Sequence, residues 1–161
     1  MKNITILVAD DHAVVRHGLC ALLNAESDID VIGKARNGRE AVRMAWTLRP
    51  DVILMDIAMP VLNGFEATRQ ILEANPAAKV LFLSAHRDDE YGEFIAAAGA
   101  VGFLEKRTVC KVLTRAIREA AKGNRFFRPT IAKRIARDRK ALTRPRIAAE
   151  SKKGTSSSVP R

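Results

Sequence analysis

The sequence predicts an open, parallel α/β sheet with helices on both faces. Two observations carry that expectation. Short apolar runs alternate along the chain with stretches whose apolar residues recur on one helical face. The runs lack the in-out alternation of a half-solvated strand, as expected of strands covered on both sides. Alternation of this kind argues for right-handed βα units in one sheet.

Ile4–Ala9 is the first run, short and rich in β-branched residues, and predicts a buried strand. Val14, Val15, Leu19, Leu22 and Leu23 then share a helical face. Residues 31–35 predict a second strand. Asn37-Gly38-Arg39-Glu40 places a Glu three residues after an Asn, before Ala41, Val42, Ala45 and Trp46. That spacing fits a helical capping box better than an Asn-Gly hairpin. Pro50 ends the helix region, because the residue before proline is pushed out of helical geometry. Val52-Ile53-Leu54-Met55 predicts the third strand. Asn63-Gly64-Phe65-Glu66 repeats the capping pattern and opens a helix through Ala74, broken by Asn75-Pro76. Residues 80–83 predict the fourth strand, 89–98 a helix stopped by Gly99, and Gly102-Phe103-Leu104 a short fifth strand. Thr108 is the expected cap of a last helix running to Lys122, with Gly123 as its stop.

The 161 residues are 47% hydrophobic and 29% charged, a globular composition with room for one domain and a tail. No apolar run approaches the roughly 20 residues of a membrane span, and the start is too soon followed by charge to be a signal peptide. Cys20 and Cys110 make neither a disulfide framework nor a metal spacing, so a reducing cytoplasm is the expected compartment. The charge is divided. Residues 1–106 hold 11 Lys and Arg against 15 Asp and Glu, a net −4; residues 107–161 hold 17 against 3, a net +14. A mildly acidic body carries a strongly basic end, and the two need separate explanations. The expected division is a domain over 1–122, a basic linker helix over 123–142 and a disordered tail over 143–161.

The strands end in chemistry. The first leads into Asp10-Asp11, the third into Asp56, the fourth into Ser84 and the fifth into Glu105-Lys106. In a flavodoxin-like sheet of order 2-1-3-4-5 these ends converge on one edge, and the switch point between the first and third strands is where a ligand binds. Three carboxylates in one crevice raise each other's pKa, and a hard cation relieves them. Mg²⁺ suits such a site, taking oxygen ligands and keeping waters for a phosphate. With the Lys106 ammonium and the Ser84 hydroxyl, the set suits a phosphoryl group, one carboxylate being the nucleophile. Each piece alone has a plainer use: an Asp pair as a helix cap, a lysine in solvent, Phe103 in a core. His12, His17 and His86 lack ligand spacing with one another and are expected to be non-ligands.

Asp10-Asp11, Asp56-Ile57-Ala58-Met59-Pro60, Ser84-Ala85 and Gly102-Phe103-Leu104-Glu105-Lys106 together resemble the receiver domain of two-component response regulators over residues 3–122. The resemblance implies that Asp56 is the phosphoacceptor, charged by a sensor histidine kinase. It implies a Mg²⁺ site of Asp11, Asp56, the Ala58 backbone carbonyl and, largely through water, Asp10. Lys106 and Ser84 would hold the phosphoryl group, and Phe103 would turn inward behind it, switching the surface of the fourth helix and fifth strand. The sequence departs from many receivers at Arg107, where they carry proline; Ala58 and His86 occupy the positions that tune hydrolysis in the family.

The stretch Gly123-Asn124-Arg125-Phe126-Phe127, with Pro129 and Ile131-Ala132-Lys133-Arg134, is similar to the linker of the NarL/FixJ subfamily, which continues into a LuxR-type helix-turn-helix. Leu142-Thr143-Arg144-Pro145-Arg146 echoes that domain's opening imperfectly, and the 19 residues from Thr143 lack the apolar periodicity of a folded helix-turn-helix. The leading expectation is thus a signalling switch, not a dedicated enzyme, that acts on a downstream protein or as a homodimer. The alternative is a transcriptional regulator binding DNA through an incomplete or partner-supplied helix-turn-helix. A Mg²⁺-dependent aspartyl-nucleophile phosphatase fits less well, since the first strand is followed by Asp10-Asp11-His12 instead of Asp-x-Asp. The basic end suits weak nucleic-acid contact through phosphates or a solvated tail. It lacks the second anchoring signal of a membrane binder.

Overall fold

The computed structural model describes residues 2–85 and 92–127, together with Lys133, Ala136 and Arg137. The elements are β1 (Ile4–Ala9), α1 (Ala13–Asn24), β2 (Ile29–Ala35), α2 (Gly38–Leu48), β3 (Val52–Asp56), α3 (Gly64–Ala74), β4 (Val80–Ser84), α4 (Gly92–Ala98), β5 (Gly102–Glu105) and α5 (Val109–Ala121). The five strands form one parallel sheet in the order β2-β1-β3-β4-β5, as the sequence predicts. His86, the acidic start of the helix expected over 89–98, most of the expected linker helix and the whole expected tail lie outside the described residues.

The uniform apolarity of the strands has a simple cause. Successive side chains point to opposite faces, and both faces are covered. On one face Leu7, Ile53, Met55 and Phe82 pack with Ala41, Ala67, Ile71 and Ile95 from α2, α3 and α4. On the other Ile6, Val8, Leu54, Leu81 and Leu83 pack with Leu19, Leu23, Leu113 and Ile117 from α1 and α5. Only β2, at the sheet edge, alternates in burial, and it begins two residues earlier than predicted.

The asparagine caps form as predicted: Asn37 Oδ1 accepts from Glu40 N, and Asn63 Oδ1 from Glu66 N, both at 2.9 Å. The return half of each capping box does not form. Glu40 Oε2 accepts from Arg36 N, one residue before the cap, and Glu66 pairs along its own helix with Arg69. Thr108 stands at the N-terminus of α5 but makes no side-chain capping bond, because its backbone is not extended there (φ −113°, ψ 2°). Arg49 ends α2 in the left-handed region (φ 47°), consistent with the right-handed well being closed before Pro50.

One element was not expected. After α5 the chain turns at Gly123 (φ 87°) and runs back along the outer edge of β5. Phe126 N donates to Val101 O (2.8 Å), and Phe103 N donates to Phe126 O (3.1 Å). The close approach requires glycine at 102, where a Cβ would lie 2.7 Å from Phe126 O and 2.4 Å from Leu81 Cδ2.

Candidate functional site: an acidic crevice at the strand ends

The C-terminal strand ends converge as predicted. Asp10 follows β1 directly and is tied to the neighbouring strand by Asp10 N donating to Ala35 O (3.1 Å). Asp56 is the last residue of β3, and Ser84 the last of β4; both are buried, as is Asp10. Lys106 N donates to Ser84 O (2.8 Å), which fixes where the lysine leaves β5. Gly64 lets α3 start against the Asp56 backbone: a Cβ there would stand 2.2 Å from Asp56 O. Ala58 is exposed on the loop between β3 and α3, between the buried Ile57 and Met59.

The Lys106 ammonium sits between two buried carboxylates, 2.9 Å from Asp10 Oδ2 and 3.2 Å from Asp56 Oδ2. These are ion pairs without hydrogen-bond alignment, so both oxygens, and Asp11 Oδ1, remain buried without a hydrogen-bond partner. Burial raises the Asp56 carboxyl to about 7, the Asp10 charge adds to the rise, and Lys106 opposes it. Burial pulls the Lys106 ammonium down, but Asp10 and Asp56 together outweigh it, and the net shift is upward. Lys106 touches Asp10 and Asp56 but not Asp11, so one lysine against three aspartates leaves negative charge uncompensated. That imbalance, with buried carboxylate oxygens left without hydrogen bonds, fits a hard divalent cation such as Mg²⁺.

Asp10 and Asp11 do not cap α1. His12 occupies the N-cap position, and Asp10 Oδ1 accepts from His12 N (2.9 Å). Arg16 Nη1 donates to the Asp10 carbonyl (2.8 Å), a support absent from the sequence reading. The spacing of His12 to the other histidines predicts a non-ligand. The structure instead places its Nδ1 3.2 Å from Asp10 Oδ1 and 3.1 Å from Asp11 Oδ1. Its ring, Asp10, Asp11 and Asp56 offer four ligand atoms within 4.8 Å of one another. The telling signal was adjacency to the acidic pair, not the distance to His17, which is exposed.

Phe103 is buried in the α2–α4 face of the core, with Phe127 packed against the same cluster. The chain after α5 covers that edge, pairing Phe126 with Gly102.

The sequence matches the response regulator receiver domain over residues 6–118, a span that contains every one of these carboxylates and the lysine. The chain belongs to the receiver domain family. It is 41% identical over 132 residues to the transcriptional regulatory protein LiaR of Bacillus subtilis, covering 82% of this chain and 62% of LiaR. It is 36% identical over 133 residues to the response regulator GacA of Pseudomonas aeruginosa, covering 83% of this chain and 62% of GacA. The chain thus spans about three-fifths of the length of these relatives. Among solved structures, a LuxR-family two-component response regulator from Aurantimonas sp. SI85-9A1 superposes with a TM-score of 0.76 at 32% identity, covering 86% of this chain and 99% of that one. Receivers in general take a phosphoryl group with Mg²⁺ at such an acidic pocket and are generally phosphorylated by sensor histidine kinases. Among the described residues of this receiver, no helix is long and apolar enough to cross a membrane.

Proposed function

We propose that this receiver accepts a phosphoryl group on Asp56 from the phosphohistidine of a sensor kinase and passes the change to an output partner. The observation that supports it best is the Lys106 ammonium held between the buried Asp10 and Asp56 carboxylates. An Asp56 Oδ attacks phosphorus as the bond to the donor imidazole nitrogen breaks; the electron pair stays on that nitrogen, and the acceptor becomes an acyl phosphate. Lys106 faces the phosphoryl oxygens and offsets their charge. Ser84, on the neighbouring strand end, donates its hydroxyl to the transferred group. Asp11, Asp56 and the Ala58 carbonyl would hold Mg²⁺, with Asp10 behind them; when bound, the ion neutralises charge on the acceptor and the phosphoryl oxygens.

Phe103 shares a core cluster with Phe127 and donates its amide to Phe126 O, so movement behind Ser84 has a physical path to the chain after α5. The switch is a receiver that is itself modified, one phosphoryl per chain, and not a dedicated enzyme. Incubation with Mg²⁺ and acetyl phosphate should add the mass of one phosphoryl group to the intact protein and none to Asp56→Asn. No gain in the native protein, with beryllofluoride also unbound, would overturn the assignment.

The output is read from the relatives. LiaR is named a transcriptional regulatory protein, and this chain shares its receiver region. We therefore propose transcriptional control as the output, with a downstream protein or a second copy of this chain as the contact and nucleic acid as a weaker partner of the basic segment. The phosphatase reading fits less well, because the carboxylate beside Lys106 that serves as nucleophile here is on β3, and Asp10-Asp11-His12 after β1 is not Asp-x-Asp.

A further inference from the structure

His12 plays no part in the phosphoryl chemistry above, yet it is built into the crevice. It closes the ring Asp10 Oδ1, His12 N and His12 Nδ1, with the carboxylate accepting from the backbone at 2.9 Å and facing the imidazole at 3.2 Å. Asp11 Oδ1 lies 3.1 Å from the same nitrogen and is otherwise buried without a hydrogen-bond partner. Asp10 is completely buried, and its second oxygen faces the Lys106 ammonium at 2.9 Å, which leaves Oδ1 on the His12 side.

We propose that His12 is a nitrogen ligand, and that it makes this crevice a site for borderline transition-metal ions of the zinc, cobalt and nickel class as well as for Mg²⁺. The proposal rests on reading Asp10, Asp11 and Asp56 as a cation site, and not on phosphoryl transfer to Asp56.

The geometry supports it. Neighbouring ligands of a six-coordinate ion with bonds of about 2.1 Å lie about 3.0 Å apart, and opposite ones about 4.2 Å. His12 Nδ1 stands 3.1 and 3.2 Å from the two aspartate oxygens, and the whole set of four spans no more than 4.8 Å. The ring therefore reaches a shared ion once His12 Nδ1 gives up its contact with Asp10 Oδ1 and the widest ligand pair closes by about 0.6 Å. The backbone is fixed from three sides: His12 is the N-cap of α1, Asp10 holds its amide, and Arg16 holds the Asp10 carbonyl. The imidazole is two-thirds exposed, so an ion enters from solvent without the core opening.

The chemistry supplies the selectivity. Mg²⁺ takes oxygen donors almost exclusively and gains little from imidazole. Zinc, cobalt and nickel bind imidazole well, and carboxylate sites gain affinity for them in the Irving–Williams order when a nitrogen joins the set. His12 thus acts as a specificity residue. It separates two classes of ion that three carboxylates alone would distinguish less.

The test uses the full chain stripped of metal. Co²⁺ is titrated by its visible absorption, Zn²⁺ by competition with Co²⁺, and Mg²⁺ by calorimetry, in the native protein, His12→Ala and Asp11→Asn. Co²⁺ and Zn²⁺ should bind His12→Ala about 10- to 100-fold more weakly, while Mg²⁺ changes by less than about 3-fold. Retained Mg²⁺ binding also shows that the variant is folded. An equal loss for all three ions would overturn the proposal and leave His12 as a hydrogen-bonding prop for the aspartates. Unchanged Co²⁺ binding would overturn it too, as would loss on His17→Ala or Cys110→Ser instead. If Asp11→Asn leaves every ion unaffected, the cation-site reading itself fails; if only the His12 effect is missing, that reading stands and this one does not.

Discussion

Replacing Asp56 with Asn should stabilise the metal-free protein at neutral pH and leave it nearly unchanged in acid. The Asp56 carboxyl is raised from 3.8 to about 7 in the folded chain, first by burial and then by Asp10. A raised carboxyl binds its proton more tightly folded than unfolded. Its contribution is therefore fully present below the unfolded value of 3.8 and is lost as the pH rises through about 7. Each unit of difference corresponds to about 1.4 kcal/mol, so the upper bound is about 4 kcal/mol. Asp10 and Lys106 share the titration, which brings the expected effect nearer 2 kcal/mol. Asparagine has the same shape and no charge at any pH, so it removes this cost without opening a cavity. Urea unfolding with a chelator, at a series of pH values from about 4 to about 8, measures it. The stability gap between Asp56→Asn and the native protein should open from near zero to about 2 kcal/mol across that range. Saturating Mg²⁺ should then narrow the gap, because only the native site gains from the ion. A gap independent of pH, or a variant less stable at the alkaline end, would refute the argument that an ionised Asp56 is costly here.

Other perturbations test other parts of the structure. Lys106→Met strips the cation from two buried carboxylates; in chelator it should cost about 3 kcal/mol near pH 8, and intact-mass measurement should show acetyl-phosphate labelling slowed at least about 10-fold. Gly64→Ala drives a methyl into the Asp56 backbone, where 2.2 Å separates Cβ from the carbonyl oxygen; thermal unfolding should show a loss of about 2–4 kcal/mol, and labelling should fall with it. Asn63→Ala removes the cap from Glu66 N and should cost about 1 kcal/mol in urea, with labelling intact. Gly102→Val should displace Phe126 from the β5 edge, read as faster hydrogen exchange at the Phe103 and Phe126 amides; unchanged protection there would mean the edge pairing is not what the geometry says.

Much of this molecule was legible along the chain. The strands, the two-sided core and the asparagine caps follow from local rules: side chains alternate along a strand, a doubly covered strand must be apolar on both faces, and an Asx oxygen reaches an amide three residues on. The carboxylates were legible for a related reason. A polar residue at the end of an apolar run is costly unless it works, and the parallel topology gathers such ends at one edge.

What the sequence left open depends on distances between residues remote in the chain or on choices among equivalent local partners. Nothing local says that Glu40 returns to Arg36 instead of completing its box, or that Thr108 leaves its amides uncapped; backbone angles set by packing decide that. The position of Lys106 between Asp10 and Asp56 and the upward shift of Asp56 exist only once β1, β3, β4 and β5 are side by side, because Coulomb energy and burial depend on separation in space. The place of His12 was hidden for the same reason: whether its ring turns toward the aspartates beside it is set by the Asp10 turn and the Arg16 anchor. The covering of Phe103 by the chain after α5 was equally hidden, since backbone pairing carries no side-chain pattern to read. The sequence by itself determined which residues are chemically able to form a phosphoryl site. The tertiary structure decided which of them meet, at what separation, and with how much charge left over.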